Sequence, residues 1–288
     1  MPLPGASPPE ADHEVLEAIT KLREAHAARR PGFVELVARS SFSFLSGASS
    51  PESLVEAAAK AGYDTVGLTD LHGLYGVVRA HEAAKKFGVR LVVGAELVCP
   101  VSSGGSSASR ISAESSQGAV HVAVHVESHE GYESLCRILT QAHALRPRDD
   151  RKRAEVMLSS LAEHARGLFA TLLDPDPHAA EVLLAAFGPR ASLGVTMRLD
   201  GHDRERLALV TALERRFAMP VLATNRVLFA HKHDRPTFDV LTCIREKTTL
   251  ERAGRFLLPN AEAHLKNEGL SPAFLNYMKT WKGFVAEA

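Results

Sequence analysis

Repetition of strand and helix patterns is the feature that most constrains how this chain can fold. Short apolar runs typical of buried strands alternate with longer amphipathic helical patterns, in steps of about 30 residues. Such crossovers place successive strands side by side in a largely parallel sheet, with the helices outside it. We predict strands at 33–40, 65–70, 90–97, 119–126, 167–173, 191–199 and 221–223. The period alone allows an α/β barrel or an open sheet.

Polar side chains follow several of these predicted strands at the point where each strand ends. They include Arg39, Asp70 with His72, Glu96, and the pair Asn225-Arg226. In proteins built from strand-helix repeats, the carboxyl ends of the strands meet at one edge, and ligands bind there. The sequence therefore predicts a site assembled from strand ends.

Composition limits the possible partners and compartments. The 288 residues carry 34 basic and 34 acidic side chains, so the formal charge is zero and any DNA contact would have to be local. Cys99, Cys136 and Cys243 are odd in number and far apart, which argues against disulfides and cysteine zinc sites. No long apolar run or signal-peptide pattern occurs. We expect a soluble cytoplasmic protein without a membrane partner.

Flanking segments differ in composition from the central region. Residues 1–32 read as a disordered tail followed by an amphipathic helix, and 33–233 as the main domain. Within it, residues 101–118 are rich in Ser and Gly and predict a flexible loop. Residues 234–288 predict a helical C-terminal extension. The domain organisation is thus one large unit with two extensions.

A family resemblance is carried by the stretch ATNRVLFAHKHDRPTFDVLTCIREKTTLERAGRFLLPNAEAHL, which begins at Ala223. It closely resembles the end of the PHP (polymerase and histidinol phosphatase) domain and the adjoining segment of bacterial C-family DNA polymerase III alpha subunits, most of all the error-prone, translesion branch. The resemblance covers roughly 33–265 and implies a distorted seven-stranded (βα) barrel. It also implies that 234–265 leads towards a polymerase palm. The tail after Leu265 does not match, and the polymerase core is absent.

The same resemblance implies a site for two or three metal ions, such as Mn, Zn or Mg, held by His, Asp and Glu. Here the ligand motifs are altered. The first motif, H-x-H, has become Val37 and Arg39, and T-D-H keeps Asp70 but has Leu71 in the histidine position. The final D-x-H has also lost both its ligands. Positions at which family ligands are replaced are Val37, Arg39, Ser46, Leu71, Arg226 and Leu228.

Few candidate ligands remain after these replacements. Glu96 and His121 are the predicted vestigial metal ligands, and Asp70 and His72 are predicted remnants behind them. A catalytic metal normally takes at least three protein ligands, and a fixed arginine charge repels cations. We therefore expect no catalytic residue and no cofactor. Instead, Arg39 can form a salt bridge to Glu96, and the Glu96 carboxylate is predicted to be satisfied by Arg39 or Arg226.

Other histidines receive simpler interpretations. His121 and His125 lie on one face of a strand and are more typical of packed, hydrogen-bonded side chains than of ligands. His231 and His233 fall in a charged loop and are predicted to be exposed to solvent.

Three functions remain compatible with the sequence. The first is an inactive PHP domain with a structural role, or one that binds a polymerase or other replication and repair proteins. The second is a metal-dependent phosphoesterase or 3'-5' exonuclease that has rebuilt its site from Asp70, His72, Glu96, His121 and His125. The third is a truncated polymerase remnant without function.

Overall fold

Six strands form one curled sheet in the computed structural model, which describes residues 34–101, 118–144 and 154–266. The predicted N-terminal helix, most of the loop at 101–118 and the tail after 266 lie outside the described residues. The strands are β1 (Thr65–Leu71), β2 (Arg90–Pro100), β3 (Ala119–Val126), β4 (Leu168–Leu172), β5 (Ala191–Val195) and β6 (Val221–Ala223).

Eight α-helices accompany these strands in the described part of the chain. They are α1 (Pro51–Lys60), α2 (Val77–Phe87), α3 (His129–Ala144), α4 (Leu158–Glu163), α5 (Pro177–Phe187), α6 (Asp203–Phe217), α7 (Arg235–Glu246) and α8 (Leu250–Ala253). Capping explains two of the starts: the side chains of Ser50 and Asp176 accept hydrogen bonds from the first turns of α1 and α5, and a proline follows each cap. None of the described helices is long and apolar enough to cross a membrane.

The sheet follows chain order but is not parallel throughout. β1 pairs with β2 in parallel, as does β5 with β4 and with β6, whereas β3 runs antiparallel to both of its neighbours. Two buried apolar clusters hold the helices to it. The larger joins β2–β5 to α3, α5 and α6, and the smaller joins β1 to α1 and α2. The predicted helical layer outside the sheet is therefore present.

The predicted first strand at 33–40 is not a regular strand, so the count of seven is not confirmed. Residues 35–39, hereafter the bridging segment, make single bridges on two sides, Glu35 with Val66 of β1 and Ala38 with Val227 beyond β6. The side chain of Glu35 accepts a hydrogen bond from Val37 N, which withdraws that donor from any strand ladder. A half-barrel of six strands results, whose two edges are joined by an extended segment.

The close approach of the bridging segment to β1 requires glycine in the strand. A Cβ placed on Gly67 would lie 2.1 Å from the carbonyl oxygen of Leu36. Gly67 N also donates to Glu35 O at 2.8 Å. Only the absence of a side chain lets the two backbones meet at this distance.

The C-terminal extension folds back against the half-barrel. Leu228 and Phe229 pack with Phe238 of α7 and with Leu258, and Leu228 N donates to Ala263 O at 2.9 Å. The extension up to residue 266 is therefore part of the packed structure. That this extension links the domain to a polymerase palm remains a prediction.

Candidate functional site

Five buried charged or titratable side chains meet at the predicted strand ends and form what we call the ion cluster. Arg39 comes from the bridging segment, Glu96 from β2, His121 from β3, Asp174 from just beyond β4, and Arg226 from just beyond β6. Each is 6% exposed or less, so their charges must be balanced within the protein. The geometry of Glu96 shows how.

Arg39 binds the Glu96 carboxylate through two hydrogen bonds. The Arg39 Nε lies 2.7 Å from Oε2 of Glu96, and Nη2 lies 2.5 Å from Oε1. This is the bidentate arrangement in which a planar guanidinium group donates two parallel hydrogen bonds to a carboxylate. The predicted salt bridge between Arg39 and Glu96 is confirmed.

Arg226 adds a second guanidinium to the same carboxylate. Its Nη2 lies 2.5 Å and its Nε 3.2 Å from Oε1 of Glu96, while Nη1 lies 3.3 Å from Oδ1 of Asp174. His121 is the third residue that contacts Oε1, with its Nδ1 at 2.7 Å, and its backbone N–H donates to Asp174. Both oxygens of Glu96 are thus occupied by protein donors.

The two arginines fix the ionisation of Glu96. Burial alone would raise the pKa of this carboxyl, but the charges of Arg226 and Arg39, with the hydrogen bond from His121, hold the pKa well below its ordinary value. Glu96 and Asp174 supply two carboxyl groups for the two guanidinium groups. The cluster therefore reaches charge balance without a cation.

These residues do not fit the metal site that the PHP resemblance implies. Among residues 34–101, 118–144 and 154–266, no group of three or more His, Cys, Asp or Glu side chains could hold a metal ion. The guanidinium groups of Arg39 and Arg226 lie against Glu96, which we predicted as a vestigial ligand, and an arginine cannot lose its proton to admit a cation. No chemical step through a metal follows from this arrangement.

The other positions at which we expect family ligands to be replaced belong to packed or turn structure. Val37 is buried against Ala123 and Leu173, and Leu228 packs in the cluster with Phe238. Leu71 is half-buried at the end of β1, opposite Glu96, and Ser46 is buried in the loop after the bridging segment. The apolar replacements at 37 and 228 therefore contribute to cores.

Asp70, predicted as a remnant beside the ligands, serves the loop at 40–46 instead. Its carboxyl oxygens accept hydrogen bonds from Ser40 N, Ser40 Oγ and Ser43 Oγ, each at 2.8 Å, and from Gly76 N at 3.1 Å. Asp70 is 1% exposed, so these donors depend on it. The bonds that we find for Asp70 all go to loop residues.

His72, the second predicted remnant, lies buried beside the cluster in a neutral form. Its φ of 52° is in the left-handed region, which turns the chain where β1 has ended. Val98 N donates to its Nε2 at 3.3 Å, and its Nδ1 has no hydrogen-bond partner among the described residues. Burial lowers the pKa of His72 to about 3. It therefore adds no charge to the site.

The remaining histidines match their predictions. His125 is buried, with Nε2 at 2.9 Å from the carbonyl oxygen of Leu36, and burial lowers its pKa. His231 and His233 are exposed and stack on each other. All three cysteines are free thiols.

The sequence analysis did not identify two buried carboxyl groups, those of Asp174 and Glu35, as residues at or near the site. Asp174 lies just beyond the end of β4 and binds Arg226, so the rule that polar residues at strand ends form the site would have found it. Glu35 is 1% exposed and accepts hydrogen bonds from Thr224 and Asn225, which are far away in sequence. Local pattern gives no signal for that contact.

Comparisons with known proteins agree with this architecture. A crystal structure of a Bifidobacterium adolescentis protein, named as a proposed metal-dependent phosphoesterase, superposes with a TM-score of 0.50. The match covers 69% of this chain and 88% of that one at 13% sequence identity. At that identity the similarity concerns the fold alone.

Sequence relatives are longer proteins. The error-prone DNA polymerase of Anaeromyxobacter dehalogenans (strain 2CP-C) is 41% identical over 245 residues, which is 82% of this chain and 20% of the polymerase. Error-prone DNA polymerase 1 of Rhizobium meliloti is 34% identical over 242 residues, again 20% of that protein. The chain therefore spans about a fifth of the length of these relatives.

The family model described as the PHP domain matches residues 35–214. That match begins at the bridging segment, takes in all of β1 to β5 and ends within α6. The chain belongs to the PHP domain family.

Proposed function

We propose that this chain is a PHP domain of error-prone polymerase type that does not hydrolyse phosphoesters and acts as a structural or partner-binding module. One observation carries the proposal: both carboxylate oxygens of Glu96 are held by the guanidinium groups of Arg39 and Arg226. Glu96 is one of the two ligand positions that we predicted to remain, and here it is an ion-pair partner.

Hydrolysis by a metal-dependent phosphoesterase needs water made nucleophilic at neutral pH. A metal ion does this by lowering the pKa of bound water and by neutralising charge as it develops. A guanidinium group supplies charge and hydrogen bonds but has no open coordination position for water. Arg39 and Arg226 can therefore balance Glu96 and Asp174 without activating water.

What the ion cluster can do is hold the strand ends together. Its members come from the bridging segment, β2, β3 and the ends of β4 and β6, so its hydrogen bonds join five parts of the half-barrel. A buried ion pair adds little to the free energy of unfolding compared with a well-packed apolar group. Removing one partner of the pair, however, is strongly destabilising, because it leaves the other charge buried and unpaired. The cluster thus specifies the arrangement of the strand ends rather than adding much stability.

The polymerase relatives suggest where such a module would act. We infer that residues 33–233 form the PHP domain and that 234–288 lead towards a polymerase, in the cytoplasm. Its partner would then be a polymerase or another protein of replication, repair or translesion synthesis. Support comes from the 41% identity to an error-prone polymerase. The balanced charge of the chain gives no support to a dominant DNA contact.

A hydrolysis assay tests the proposal. We expect the full chain, with manganese added, to leave a labelled single-stranded DNA and a generic phosphomonoester uncleaved, at the same background rate as Glu96→Gln. Metal-dependent cleavage that is lost in Glu96→Gln would contradict the proposal and favour a phosphoesterase or exonuclease. A chain that shows no cooperative urea unfolding would contradict it differently and favour a functionless remnant.

A further inference from the structure

The half-barrel is closed by few backbone contacts. On one side of the bridging segment, Gly67 N and Thr69 N of β1 donate to Glu35 O and Ala38 O at 2.8 and 2.7 Å. On the other side, Arg39 N donates to Val227 O, and Val227 N donates to Val37 O. We call this junction of two sheet edges the seam. Four hydrogen bonds are a short ladder, so side chains must help to hold it.

Glu35 provides that help from within the seam. Its backbone bonds to β1, while its carboxyl group reaches the other edge: Oε1 accepts from Thr224 Oγ1 at 2.5 Å and Oε2 accepts from Asn225 N at 2.6 Å. Val37 N donates to Oε1 as well. One buried residue therefore connects β1, the bridging segment and the end of β6.

Thr224 and Asn225, which Glu35 binds, have three further partners. Thr224 Oγ1 accepts from Arg226 N at 3.0 Å, and the φ of 47° at Arg226 is costly for a residue other than glycine. Asn225 Nδ2 donates to Glu262 O at 2.8 Å and to His264 O. Through these hydrogen bonds Glu35 is connected to the ion cluster on one side and to the C-terminal extension on the other.

We propose that Glu35 is the positioning residue of the seam: through Thr224 and Asn225 it sets both the Arg226 guanidinium in the ion cluster and the chain at 260–266. The proposal concerns closure of the half-barrel, and it stands whether or not the ion cluster has taken the place of a metal site.

Proton uptake gives this role a distinctive signature. Burial raises the pKa of Glu35 to about 7, against the hydrogen bonds from Thr224, Val37 and Asn225, which lower it. The groups that reach it from its own segment and from the β6 end are a hydroxyl and amides. Two charged or titratable groups bind next to the partners of Glu35: Arg226 pairs with Glu96 and Asp174, and His125, whose pKa burial lowers, binds Leu36 O.

The sign of the effect follows from these pKa values. The pKa of the Glu35 carboxyl is about 7 when the seam is closed and near its ordinary 4.5 when the seam is open. The carboxyl therefore takes up a proton when the seam closes. Closure is most favoured below pH 4.5 and weakens as the pH rises to 7. Above pH 7 the dependence ends. Between pH 5.5 and 8, opening of the seam should become about tenfold or more easier.

Hydrogen exchange of the full chain, read by mass spectrometry, tests the proposal. At pH 5.5, where wild-type Glu35 is mostly protonated and closure is most favoured, Glu35→Gln should lose about tenfold or more of the protection in peptides covering 224–229 and 260–266. The reason is that the amide nitrogen of Gln cannot accept a hydrogen bond as a carboxyl oxygen does. The helix α5 should keep its protection. After correction for intrinsic exchange, wild-type protection in those peptides should fall from pH 5.5 to pH 8, and that of Glu35→Gln should not. Glu127→Gln is the matched control, because its partner Arg190 is at the surface.

Two results would overturn the proposal. One is unchanged protection in both peptides of Glu35→Gln, and the other is an equal loss in all helices, which would indicate general destabilisation. If Glu35→Gln does not fold, Thr224→Val replaces it, since that variant removes only the hydroxyl between Glu35 and Arg226 N. It should lower protection at 225–229, and full protection there would refute the role of Glu35.

Discussion

Replacement of Arg226 by methionine is expected to destabilise the fold by about 3–5 kcal/mol, because it leaves Glu96 and Asp174 buried with one guanidinium group instead of two. Methionine keeps most of the apolar stem, so the loss reports the charge and its hydrogen bonds. Urea unfolding at neutral pH measures the free energy of unfolding directly.

A double-mutant cycle separates the ion pair from packing. Glu96→Gln removes the negative charge, so Arg226→Met combined with Glu96→Gln should be less destabilised than the sum of the two single variants, by about 1–3 kcal/mol. Arg190→Met is the control, since Arg190 pairs with Glu127 at the surface and its loss should cost about 0.5 kcal/mol or less. Equal effects of Arg226→Met and Arg190→Met would refute the buried cluster.

Asp70→Ala is expected to cost about 3 kcal/mol or more, although Asp70 does not contact the ion cluster. Ser40 and Ser43 would lose the acceptor that holds the 40–46 loop, and Gly76 N would lose its partner before α2. Each buried donor left without an acceptor costs about 1–3 kcal/mol, reduced where water enters. Urea unfolding and protease cleavage within 40–46 measure the two consequences.

The matched control for Asp70 is Asp176→Ala. Asp176 is buried like Asp70 but caps only α5, through Ala179 N at 2.9 Å, so its loss should cost about 1 kcal/mol. A destabilisation of Asp70→Ala no greater than that of Asp176→Ala, with no new cleavage in the loop, would show that the loop does not depend on Asp70.

Most of the fold was readable from local pattern. Apolar runs depend on residues close together in sequence, which is why the positions of all six strands were predicted. The segment at 33–40 was misjudged, because its alternation resembles a strand while the Glu35 side chain takes the hydrogen bond of Val37 N. The β5 strand ends at Val195, four residues before its predicted end.

Prediction of the site depended on motif positions. Because the family resemblance places Arg39 and Glu96 where metal ligands would meet, it implied their salt bridge. The contacts of Glu35 with Thr224 and of Asp174 with Arg226 join residues far apart in sequence, which neither periodicity nor spacing could reveal. The orientation of the His72 side chain depends on the left-handed backbone conformation of His72 itself, which no local sequence pattern indicates.

Metal content is the most direct test of whether arginines stand in place of metal ions. The full chain is purified without chelator, incubated with manganese or zinc, passed through gel filtration and analysed by elemental mass spectrometry beside Glu96→Gln. We predict far less than one bound ion per chain in both proteins, and the same urea unfolding curve with and without a chelator. One or more ions per wild-type chain, lost in Glu96→Gln, would contradict the account.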